Sequence, residues 1–219
     1  MSVPCIIVHI KNAHPIESSS KSISLVHNGI IENYAELKSK LQKKGVRFNS
    51  DTDTEVLANL IDSFLTTRTS VETALSKAIK LTTGAYTVAV MSNKHPGKIV
   101  FARTGYAGGI IVAKNGTSTV IASDIAAITN NNYSMTFLEA GEMGVASNNT
   151  VSFFNLKGKK ISKKFEKFNL SDSINEKGKY RYFLEKEIFE QPDSMFDFIR
   201  DTYQQNKHDI HFDLSLIHI

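Results

Sequence analysis

The hydrophobic period of this chain changes at Gly84, from that of a helix to that of a strand. Upstream, Val56, Leu57, Leu60, Ile61 and Phe64 recur at intervals of three and four, which places them on one helical face. Thr52 and Glu55 stand ahead of them at capping-box spacing. An earlier helix is predicted with Asn33 as N-cap, Glu36 three positions on, Tyr34, Leu37 and Leu41 on one face, and Gly45 as its stop. A third is predicted from about Val71 to Leu81.

Downstream of Gly84, AYTVAVM, KIVFAR, GIIVAK and STVIAS are short runs rich in β-branched residues and separated by turn signals. Asn115-Gly116 lies between two of them and is a strong hairpin signal. A brief helix around Ile125 to Ile128 and strands near Thr136–Leu138, Met143–Ala146 and Val151–Phe154 are expected to follow. Helices bunched early and strands after them predict an α+β fold in which helices cover a sheet face.

The chain turns polar from Asn169 to Lys179, which marks a boundary. Beyond it, KYRYFLEKEIFEQP carries helical periodicity that Pro192 is expected to end or kink. DSMFDFIRDTYQQ reads as a further helix, with Asp193 as its cap and Met195, Phe196 and Ile199 as its apolar face.

With 219 residues, 41% of them hydrophobic, the chain can bury a substantial core. Its 26 basic and 22 acidic side chains leave only +4 of formal charge, without the stripe that marks a dedicated nucleic-acid binder. The basic run Lys157 to Lys167 reads as a solvated strand edge guarded by lysines. Cys5 is the one cysteine, so neither an internal disulfide nor a multi-cysteine metal site can form. No apolar stretch approaches the ~20 residues that span a bilayer. A cytoplasmic protein with no nucleic-acid or membrane partner is expected.

The densest chemistry lies between Leu25 and Glu55. A strand ends in His27-Asn28-Gly29, and Asp51-Thr52-Asp53-Thr54-Glu55 opens a helix. An Asn amide beside a Gly backbone N–H gives two convergent donors, the arrangement that stabilises a tetrahedral oxyanion. Asp53 could bind an ammonium group, and His14 or His27 could add polar contacts. The plainer reading also stands, since Asn-Gly is a common turn pair and an Asp in a first helical turn complements the macrodipole.

Several strings, in this order, resemble one family: NAHP from Asn12, VHNGIIENYAELK from Val26, SDTDTEV from Ser50, GAYTV from Gly84, IASD from Ile121, FLEAGE from Phe137 and EKEIFEQP from Glu185. They are similar to the isomerizing glutamine–fructose-6-phosphate aminotransferases, or glucosamine-6-phosphate synthases. His27-Asn28-Gly29 alone would also suit other class II glutamine amidotransferases, such as the amidophosphoribosyltransferases. The resemblance implies an N-terminal-nucleophile hydrolase fold, an αββα sandwich that releases ammonia from glutamine. In the family a sugar-isomerase half then passes the ammonia to fructose 6-phosphate. It implies a partial glutamine amidotransferase domain over 12–168, and over 169–219 a linker and first helices leading toward that second half. It implies no cofactor or metal, and a homo-oligomeric parent enzyme.

Carried over by residue, Asn28 and Gly29 resemble the oxyanion hole, Asp53 the carboxylate that holds the glutamine α-ammonium, and His14 a neighbour of the glutamine pocket. His27 resembles a packing neighbour rather than a base. The family's nucleophile is an N-terminal cysteine whose own α-amine is thought to act as base, and an Arg-Trp-Ala-Thr-His-Gly loop binds the glutamine carboxylate. MSVPCIIVHIK, upstream of NAHP, matches neither. Cys5 is internal and reads as a small apolar strand residue, so no nucleophile is assigned and both ends look like junctions of a truncated sequence. Where relatives carry Ser-Pro-Leu after an Arg-x-Gly turn, this chain has Tyr106-Ala107-Gly108-Gly109. The expectation is a glutaminase-domain fragment, inactive as written and weak or lost in glutamine binding. The alternatives are a catalytically silent glutamine-binding or interaction fragment, or the glutaminase part of another class II amidotransferase.

Overall fold

A computed structural model describes residues 10–116, 118–128, 132–148, 150–167 and 178–205. The chain divides into two compact units, 1–169 and 170–219. Cys5, the boundary segment 169–177 and the C-terminal LSLIHI lie outside the described residues.

In the first unit, a short strand β1 (Ile16–Glu17) and β2 (Ile23–Gly29) precede three helices, α1 (Tyr34–Lys43), α2 (Asp53–Phe64) and α3 (Val71–Ile79). Strands follow: β3 (Tyr86–Ser92), β4 (Lys98–Thr104), β5 (Ile111–Lys114), β6 (Thr119–Ala122), β7 (Ser134–Phe137), β8 (Glu142–Ser147), β9 (Thr150–Asn155), β10 (Lys160–Ile161) and β11 (Glu166–Lys167). They form a 7-stranded sheet ordered β1-β2-β3-β4-β8-β9-β10 and a 4-stranded sheet ordered β11-β7-β5-β6. The described ladders are antiparallel, with Asn28 opposite Thr87 and Gly29 opposite Tyr86. The expected helix around Ile125 is a single 3-10 turn, Ile125–Ala127.

Strand alternation explains the layering. Leu25, Val88, Val90, Val100 and Ala102 point from the large sheet into a core shared with Leu57, Ile61, Leu75 and Ala78 of the helices. Phe101, Ala146 and Phe153 point the other way, onto Ile110, Val112 and Leu138. Helices, large sheet and small sheet therefore stack in that order, an α+β arrangement. Gly144 is required there, since a Cβ on it would lie 2.2 Å from the Phe101 ring.

α2 is buried from Thr54 to Ile61 without a break, because it packs against α1, α3 and β2 at once. The expected capping box is half made. Thr52 Oγ1 accepts from Glu55 N at 3.3 Å, but the Glu55 carboxylate turns outward from the helix and accepts from Asn49 N (2.9 Å) and Ser50 N (2.6 Å). It fastens the preceding loop instead. Asn33 likewise makes no side-chain cap to α1. Its amide donates to Leu81 O, its carbonyl accepts from Thr83 N, and it ties the start of α1 to the end of the α3 turn.

The basic run supplies an edge strand to each sheet, β10 to one and β11 to the other. Between them Lys163 pairs with Glu142 of the large sheet at 2.6 Å and donates to Phe137 O of the small one. In the second unit one helix, α4 (Phe183–Gln205), runs through Pro192, so the proline does not end the helix and the segment after it is not a separate one. Proline removes one N–H from the ladder, and the bonds on either side continue the helix.

Candidate active site at the end of β2

β2 presents alternate residues to opposite faces, and this divides the His27-Asn28-Gly29 string. His27 faces the helices and is buried, its ring against Tyr86 at 5.3 Å. Asn28 faces the small sheet. With Val26, Thr87, Ile110, Ile121 and Ser123 it lines a cleft of about 450 Å³. Gly108 crosses close to the Asn28 amide, where a Cβ on Gly108 would come within 3.2 Å of Asn28 Nδ2. A larger residue there would press on that amide.

Gly29 ends the strand with φ +130, and a Cβ on it would lie 2.3 Å from Ala85 O. Only glycine fits this backbone and this approach. The chain then turns so that Ile31 N donates to Asp53 Oδ2 at 2.9 Å. The first turn of α2 is thereby fixed to the end of β2.

The remaining predicted residues meet at that helix start. Thr54, next to Asp53, is 3% exposed. Its hydroxyl lies 3.0 Å from His27 Nδ1 and 3.4 Å from His14 Nε2. His14 itself is exposed. Burial holds the His27 imidazole below its ordinary pKa, with the Asp53 carboxylate acting in the opposite direction and His14 adding to the lowering. Burial also pushes the Tyr86 phenol beside it up to about 12, against a smaller opposing effect of its hydrogen bond to Thr82.

His14, His27 and Asp53 thus converge through Thr54, while the Asn28 side chain lies on the other face of the same strand. Gly29 and Ile31 join the two sides. The sequence reading missed Thr54, Thr87 and Gly108. Thr54 was visible only as a hydroxyl within an acidic helix start, and the other two reach Asn28 from distant strands and loops. Among the described residues no group of three or more His, Cys, Asp and Glu could hold a metal ion, and no described helix is long and apolar enough to cross a membrane.

The arrangement offers an exposed amide donor, a glycine that permits close backbone approach, and a half-buried carboxylate at a helix N-terminus. An amide donor near a carbonyl oxygen and a carboxylate near an ammonium group would suit an amino-acid amide.

Residues 4–130 match a family described as the glutamine amidotransferase domain. The glutamine–fructose-6-phosphate aminotransferase [isomerizing] of Haemophilus influenzae is 38% identical over 186 residues, 85% of this chain and 30% of that protein. The protein of the same name from Bacteroides thetaiotaomicron is 40% identical over 191 residues, 86% of this chain and 31% of its own length. The chain therefore spans about 30% of the length of the curated relatives it matches. Among solved structures, the glutamine phosphoribosylpyrophosphate amidotransferase of B. subtilis, complexed with ADP and GMP, superposes with a TM-score of 0.58 at 22% identity. That superposition covers 68% of this chain and 33% of the other. An allosteric regulatory enzyme of purine biosynthesis superposes with a TM-score of 0.57 at 23% identity, over 67% of this chain and 31% of the other. These two likenesses show the fold, that of the class II amidotransferase domains.

Proposed function

We propose that this chain, which belongs to the glutamine amidotransferase domain family, is the glutamine-binding unit of an enzyme that moves the amide nitrogen of glutamine to fructose 6-phosphate. The domain would occupy 12–168, and 169–219 would lead toward the sugar-binding part of such an enzyme. The observation that carries the reading is the tie between Asp53 and Ile31 N, which sets a carboxylate beside the end of the His27-Asn28-Gly29 strand.

In this reading Asp53 Oδ2 is spent on the backbone, and Oδ1, which takes no hydrogen bond from the described residues, receives the α-ammonium of glutamine. His14, whose ring reaches the hydroxyl of the neighbouring Thr54, contributes a polar contact. At the other end of the substrate, Asn28 Nδ2 and Gly29 N–H donate to the carbonyl oxygen as it gains charge. Such donors stabilise the tetrahedral intermediate more than the ground state. In the family the attacking group is an N-terminal cysteine thiolate. The attack forms a thioester, and the nitrogen leaves as ammonia with a proton from the α-amine. No nucleophile is assigned in this chain, whose cysteine lies outside the described residues. The described residues hold no counterpart of the family's carboxylate-binding loop, so the binding they provide is weak. A cytoplasmic, homo-oligomeric parent enzyme suits the reading.

The test compares L-glutamine with 4-carbamoylbutyrate, the same amide without its α-amine, by amide NMR titration. L-Glutamine is expected to move the Gly29, Ile31 and Asp53 signals. The deamino compound is expected to bind at least ~10-fold more weakly, the value of a charge-assisted hydrogen bond. Equal responses, or no response to L-glutamine, would overturn the assignment.

A further inference from the structure

We propose that Thr54 is a positioning residue that fixes the proton arrangement of both histidines, in a one-way chain from His27 Nδ1–H to Thr54 Oγ and from Thr54 O–H to His14 Nε2. The inference deepens the glutamine reading, on which the role of His14 rests, by identifying what aims that residue.

A hydroxyl has one proton to give and two lone pairs to offer. Thr54 Oγ1 faces two imidazole nitrogens, His27 Nδ1 at 3.0 Å and His14 Nε2 at 3.4 Å, so it can donate to only one of them. The buried ring decides which. His27 Nε2 is buried and has no hydrogen-bond partner among the described residues. Either tautomer leaves Nε2 without a partner, and a bare lone pair there is the milder loss, because buried N–H groups without an acceptor are rarer in folded proteins than under-satisfied acceptors. The proton of a neutral His27 therefore sits on Nδ1 and is donated to Thr54. Burial, which keeps His27 below its ordinary pKa, favours that neutral ring.

Thr54 is then an acceptor toward His27 and has its proton free for His14 Nε2. A nitrogen that accepts carries no proton, so neutral His14 must be the Nδ1–H tautomer. An exposed imidazole left to itself prefers the Nε2–H form. Thr54 thus sets His14 so that its remaining donor, Nδ1–H, is available to a ligand oxygen. The second link is long for a hydrogen bond, and it shortens if His14 closes on a ligand.

The test reads tautomers directly, by long-range 1H–15N correlation of the histidine rings in the full 219-residue chain at about pH 8, above the ordinary imidazole range. His14→Gln and His27→Gln assign the signals. Both rings are expected as Nδ1–H tautomers. In Thr54→Val the His14 pattern is expected to revert to predominantly Nε2–H, and Thr54→Ser is expected to restore it. If the valine variant does not fold, Thr54→Ala takes its place. Finding His27 protonated on Nε2, or the His14 pattern unmoved when the hydroxyl is removed, would overturn the proposal. The spectra are recorded without glutamine, so failure to bind glutamine counts against the functional reading alone. Wrong tautomers count against the proton chain alone.

Discussion

His27 and Asn28 are adjacent in sequence yet serve different surfaces, because one residue of strand turns a side chain from the helices to the opposite sheet. That division was implicit in the string, but its chemistry was not. His27 shows how the site responds to pH. Its imidazole titrates below the ordinary value in the folded chain, so the unfolded chain takes up its proton first as pH falls. The stability that neutral His27 provides is complete above its unfolded pKa of about 6.5 and is lost progressively as pH falls through that value. Urea midpoints measured from about pH 7.5 to 5.5 are expected to fall more steeply in the natural chain than in His27→Phe. Parallel slopes would show that His27 is not held neutral. Thr54 escaped the sequence reading because its partners come from distant segments, and a hydroxyl in a first helical turn usually means no more than a cap.

At the level of elements, α2 holds the site together and its sequence was legible only in part. The apolar stripe from Val56 to Phe64 predicted the helix, and the structure buries the intervening Glu55 and Asn59 as well. A buried carboxylate is tolerated because it has backbone donors, here Asn49 and Ser50. Capping-box spacing predicted a different partner, the helix's own N-cap. The two readings separate by mutation. Glu55→Ala is expected to cost about 3 kcal/mol, since it strands backbone N–H groups in a buried place, whereas Thr52→Ala is expected to cost about 1 kcal/mol. Urea denaturation measures both, and equal small losses would mean that Glu55 does no more than a surface capping residue. Pro192 makes the complementary point. Its local rule against helix interiors is real, yet α4 runs through it.

Across the whole molecule, the change of period at Gly84 separated helices from the main run of strands correctly and predicted α+β layering. It could not show that the strands divide into two sheets, because residues buried on both faces, as in β4, read as continuous apolar runs. Nor could it show that the lysine-rich run guards an edge of each sheet. The family was legible through ordered strings that record chemistry more than packing, and residues 4–130 match it. In the proposed reading, fold and function meet at Asp53, whose carboxylate accepts from Ile31 N just beyond the end of β2. Asp53→Asn is the direct test, because asparagine keeps an acceptor for Ile31 N while removing the charge. In amide NMR titrations with L-glutamine the variant is expected to stay folded and to bind at least ~10-fold more weakly than the natural chain. Equal affinity in the two proteins would contradict the assignment of Asp53 to the α-ammonium.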